Sequence, residues 1–123
     1  MRREVYQPTE EQEQAAVIQW KEIMLPQIPD LKWLIHIPNG GLRSKSEAVR
    51  LKRIGVTPGV SDLFLPVARK GYHGIWIEMK RQHDGKLSKP QKEWLSDMLK
   101  NGYQALRADG ADEAIAILED YLE

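Results

Sequence analysis

The 123-residue chain contains no cysteine. It can therefore form neither a disulfide framework nor a thiolate metal site, and the expected setting is a reducing cytoplasm. No apolar run approaches the ~20 residues that a membrane-spanning helix needs. The opening MRREVYQPTEEQEQ lacks the apolar core of a secretory signal. The glycine-rich patterns that cradle nucleotides, GxGxxG and the P-loop, are missing, so ATP dependence has no support. His36, His73 and His83 are scattered and lack zinc-ligand spacing. Net charge is also absent, because 18 Lys and Arg balance 18 Asp and Glu.

What is present is unevenly placed. From Arg43 to Lys92 there are 12 basic residues and four acids, and the rest of the chain is correspondingly acidic. This segregation predicts a basic central face. The 41% apolar content and the chain length suit one domain, residues 1–123, with one real core.

Periodicity and punctuation predict the elements. A helix is expected over 9–25, with Thr9 and Gln12 as a capping box, a shared face of Ala16, Val17, Trp20, Ile23 and Met24, and Pro26 as its stop. LKWLIHI at 31–37 reads as a strand before the turn Pro38-Asn39-Gly40-Gly41. A short basic helix begins near Ser44 and closes at Gly55. Residues 62–67 and 74–80 read as two strands joined by a hairpin connection. A helix over 88–101, a strand over 103–108 and a helix over 112–122 complete the order α-β-α-β-β-α-β-α. Four strands with helices able to cover both faces predict a mixed α/β sandwich. The four tryptophans suit core positions, and no aromatic platform for single-stranded nucleic acid is evident.

Chemistry concentrates in the two central strands. Side chains alternate along a strand, so Glu78 and Lys80 share a face about 6–7 Å apart, while Ile75, Ile77 and Met79 point to the other. Hairpin pairing brings Asp62 alongside the Glu78 strand. Two converging carboxylates suit a hard divalent cation such as Mg²⁺, and a nearby lysine could assist a water nucleophile or neutralise a phosphate. By spacing alone the same three groups more readily form a surface ion-pair network, which contributes little to stability.

The surrounding chain resembles the PD-(D/E)xK nuclease superfamily and, within it, the small VRR-NUC family in its bacterial and phage stand-alone form. The resemblance covers roughly residues 9–103. It rests on HIPNGG at 36–41, GVTPGVSDLFLP at 55–66, WIEMKR at 76–81 and GKLSKPQKEWLSDMLKNGY at 85–103. It implies a restriction-endonuclease-like fold, a mixed central β-sheet flanked by α-helices, and Mg²⁺- or Mn²⁺-dependent endonucleolytic hydrolysis of DNA, with branched or junction DNA as the expected substrate. Asp62, Glu78 and Lys80 take the motif positions, with the Met79 carbonyl as a further metal ligand. A first-helix acid would complete the site. Glu10 fits the family spacing to Gln14, whereas Glu13 aligns with the stripe Val17-Trp20-Met24. Ser61 stands where the motif usually has proline, which removes a fixed backbone angle before Asp62.

Gln91 resembles the family's S-x-x-Q glutamine, which would contact Lys80 or the phosphate. With Ser88 it also forms a capping box. Asn39, Gly40, Arg43, Lys45, Arg50, Lys52 and Arg53, extended by Lys86, Lys89 and Lys92, are the expected DNA-backbone contacts. A solvated basic helix face accounts equally well for the central members of this set. A homodimer is expected, since two sites address two strands. The alternative from a different class is a catalytically idle DNA-binding or interaction module on the same fold.

Overall fold

A computed structural model of the chain describes residues 6–38 and 44–123. Asn39, Gly40 and Arg43, expected to contact DNA, lie outside the described residues. Four strands form one mixed sheet in the order β1-β2-β3-β4: β1 is Ile35–His36, β2 Leu63–Leu65, β3 Ile75–Lys80 and β4 Gln104–Asp109. β1 pairs antiparallel with β2 and β2 antiparallel with β3, whereas β3 and β4 run parallel. Among the described residues four α-helices surround them: α1 Glu10–Met24, α2 Lys45–Arg53, α3 Lys89–Lys100 and α4 Ala111–Leu122. The expected α/β architecture, a mixed sheet flanked by helices, is the one found.

The sheet faces follow from strand alternation. Ile75, Ile77 and Met79 are at most 2% exposed and pack with Leu63, Leu65 and Ala108 against Val17 of α1 and Ala114 and Leu118 of α4. Each such aliphatic side chain contributes about 1.5–3 kcal/mol on burial. Trp76, Glu78 and Lys80 face the α3 side. There Phe64 stacks on Trp76 with ring centroids 4.0 Å apart, and Trp94 of α3 meets Trp76 edge-on at 5.0 Å.

The β2–β3 hairpin turns at Lys70-Gly71, both with positive φ (53° and 84°), between the bridged residues Arg69 and Tyr72. That is the primed-turn geometry whose twist matches a two-residue hairpin connection. Pro66 ends β2 because it has no N–H to give the ladder.

Three expectations fail. Residues 31–37 do not form one strand. Pro29–Trp33 is a 3-10 helix and only Ile35–His36 is extended, because Pro29 starts a helical turn that seats Leu31 wholly in the core. Ile23 is 73% exposed; at 100° per residue it lies about 120° from Val17, off the buried seam. Trp33 is 52% exposed and sits under the Lys32 ammonium rather than in the core.

Candidate active site

The site is assembled where β2 runs out alongside β3. Leu63 pairs with Ile77, and β2 ends there, so the next outward-facing N–H of β3, on Met79, has no strand partner. Asp62 takes it: its Oδ2 accepts from the Met79 N–H at 2.7 Å. A strand residue's N–H and C=O point to the same side, so the Met79 carbonyl faces the same edge as Asp62. The main-chain carbonyl of Asp62 is itself held by the Ile37 N–H at 2.8 Å and by His36 Nδ1 at 2.8 Å.

Glu78 and Lys80 are buried, at 3% and 6% exposure. They are joined through α3. Gln91 Oε1 accepts from Lys80 Nζ at 3.1 Å and from the Ser88 N–H at 2.9 Å. Both lone pairs of that oxygen are thereby used, which turns the amide nitrogen toward Glu78, where Nε2 donates to Oε2 at 3.4 Å. Gln91 thus serves the helix cap and the site together. On its far side Lys80 meets Glu10 Oε1 at 3.5 Å. Glu10, Lys80, Gln91 and Glu78 form one continuous chain of contacts.

The electrostatics of Glu78 are unusual. Burial first, then the adjoining Asp62 carboxylate, raise its carboxyl from 4.5 to about 9; Lys80 pulls the other way and Glu10 adds to the rise. Its Oε1 is buried and meets no donor from any other group, and the proton that Glu78 keeps is hydrogen-bonded with Asp62. A buried carboxylate oxygen beside a second carboxylate and a main-chain carbonyl on the same edge is a hard-oxygen donor set of the kind Mg²⁺ and Mn²⁺ take, so Asp62, Glu78 and the Met79 carbonyl fit such an ion. Among the described residues no group of three or more His, Cys, Asp and Glu is close enough to hold a metal. Glu10 accordingly sits on Lys80 rather than with the two carboxylates.

Glu13, the other candidate, turns away altogether. It is 5% exposed, and its Oε1 accepts from the Ala111 N–H at 3.3 Å at the start of α4.

Two hollows open at the site, one beside Asp62 and Glu78 and the other beside Lys80. One, about 250 Å³, is lined by Pro58, Gly59, Val60, Asp62, Glu78, Ser88, Pro90 and Gln91. The other, about 700 Å³, lies among Thr9, Glu10, Glu11, Lys80, Arg81, Asp84, Gly85 and Lys86. Two glycines make this possible. A Cβ on Gly59 (φ 88°) would stand 2.3 Å from the Pro90 carbonyl oxygen, and one on Gly85 would stand 2.9 Å from Lys80 Cβ.

Of the residues expected to touch DNA, Lys45, Arg50, Lys52 and Arg53 lie on α2, which has no buried residue; Arg50 approaches Glu47 at 3.8 Å. Lys86, Lys89 and Lys92 are exposed near the start of α3. From sequence His36 reads as a strand-end histidine just before the Asn-Gly-Gly turn, with a place near the site as the alternative; its bond to the Asp62 carbonyl is a finding of the structure. HIP immediately before NGG was the available signal.

A mixed sheet with two carboxylates and a lysine at the end of its central hairpin defines a nuclease-type α/β domain. The chain belongs to the VRR-NUC family: the VRR-NUC domain model matches residues 3–112. It is also similar to a solved structure described as a VRR_NUC domain protein, with 30% identity, a TM-score of 0.79, and coverage of 94% of this chain and 89% of that one. A comparison with curated proteins finds no match.

Proposed function

We propose that residues 1–123 are one metal-dependent DNA endonuclease domain that hydrolyses phosphodiester bonds with Mg²⁺ or Mn²⁺, acting on branched or junction DNA as a homodimer in the cytoplasm. The observation that carries the reading is the buried Glu78, with one oxygen that meets no donor from any other group, beside Asp62 and one contact removed from Lys80 through Gln91. A surface ion-pair network would leave these groups hydrated; burial makes the charged pair costly unless a proton or a divalent cation joins it.

Asp62, Glu78 and the Met79 carbonyl would hold the ion. When bound, it supplies positive charge at the phosphate and lowers the pKa of a water nucleophile. Lys80 directs its ammonium at the charge that develops on the phosphate, and Gln91 keeps that ammonium in place. Glu10 holds the other side of Lys80. The exposed cations of α2 and the start of α3 are suited to phosphate contacts along the flanking DNA. Junction preference and dimerisation come from family resemblance.

The deciding experiment compares cleavage of linear duplex, flap, single-stranded and four-way-junction DNA with Mg²⁺, Mn²⁺ or EDTA, using folded Asp62→Ala and Lys80→Ala proteins as controls. Metal-dependent cutting that both variants abolish is the expected result, with the junction cut fastest. Intact DNA binding without cutting of any substrate would leave the idle binding module.

A further inference from the structure

On the reading of Asp62 as a metal-holding carboxylate, we propose that His36 is the residue that positions it. Asp62 emerges from a loop containing two positive-φ glycines, Gly55 and Gly59, and a reactive carboxylate must be held to within about 0.5 Å. Its preceding neighbour gives no help, since the Ser61 hydroxyl is buried without a partner. The side chain has the Met79 N–H. The main chain has two donors on one carbonyl: the Ile37 N–H, which continues the sheet ladder, and the His36 ring.

A carbonyl only accepts, so His36 Nδ1 carries the hydrogen in this bond. This second donor fills the remaining lone pair and stops rotation of the Asp62 peptide about the ladder bond. β1 is only two residues long, and both are exposed. His36 therefore adds little to the core, and its bond acts locally. It ties the outermost strand to the residue whose carboxylate spans β2 and β3.

The experiment uses the full chain and three variants. Asn at 36 places an amide N–H the same number of bonds from Cα as Nδ1, whereas Gln places it one bond further and Ala removes it. Amide hydrogen exchange at Met79 reads the grip of Asp62 directly, with Ile77 as the internal reference. Met79 exchange at least about fivefold faster relative to Ile77 in H36A and H36Q, and near wild type in H36N, is expected. Calorimetric Mn²⁺ binding should weaken about tenfold in the same two variants and recover in H36N.

Unchanged Met79 exchange in all three variants, or equal acceleration at every amide, would overturn the proposal. Failure of the nuclease reading shows differently. Asp62→Ala with unaltered Mn²⁺ affinity would remove the metal role, while the Met79 pattern would still support the hold of His36 on Asp62.

Discussion

Among single residues, Glu10 and Glu13 of α1 illustrate how neighbours on one helix take unrelated roles. Glu10 is half in solvent and touches Lys80 at 3.5 Å, whereas Glu13, one turn on, is buried against the Ala111 N–H. Glu10→Gln should lower cleavage several-fold while leaving stability within about 0.5 kcal/mol, as for other surface changes. Glu13→Ala should instead cost about 1–3 kcal/mol by stripping a buried N–H of its acceptor. Thermal melting set beside cleavage rates separates the two.

Glu78 makes a prediction about pH. Between its ordinary value of 4.5 and its folded value of about 9, the folded protein keeps a proton that the unfolded chain releases. Without divalent ions, this contribution to stability is fully present below about pH 4.5 and is lost as pH rises through about 9. Melting in EDTA should show that decline, and Glu78→Gln should flatten it. Millimolar Mn²⁺ should restore stability to the native protein at pH 8–9, because binding to the folded state alone stabilises it.

Between elements, the loop before β2 and the first turn of α3 are packed as one unit. Gly59 presses on the Pro90 main chain, with no room for a Cβ and a φ of 88° that disfavours other residues. Gly59→Ala should cost about 1–3 kcal/mol and also suppress cleavage, because pushing α3 away moves Gln91 off both Lys80 and Glu78. Denaturant unfolding and amide exchange at Gln91 check this. If stability fell while Gln91 exchange and cleavage stayed unchanged, the proposed coupling of loop and helix would be wrong. Helix boundaries were legible from capping boxes at Thr9 and Ser88, since caps are local chemistry. The approach of Gly59 to Pro90 was not, because it joins residues from separate elements.

In the molecule as a whole, α2 stands apart from the core with no buried residue. Arg50→Ala with Arg53→Ala should leave the melting temperature unchanged and weaken DNA binding uniformly across sequences. The slope of log Kd against log salt should fall by about one for each phosphate that is no longer neutralised. Fluorescence anisotropy at several salt concentrations reads it; an unchanged slope would place the DNA elsewhere.

The helices, the hairpin and the shared face of Glu78 and Lys80 could be read from residue order, because each follows from a local periodicity of 3.6 or 2 residues. Packing in three dimensions settled the rest. It broke 31–37 into a 3-10 turn and a two-residue strand, brought Glu10 rather than Glu13 to Lys80, and set His36 on the Asp62 carbonyl. Those outcomes depend on which buried face wins the core and on hydrogen bonds between residues 26 to 98 positions apart, which no local pattern encodes.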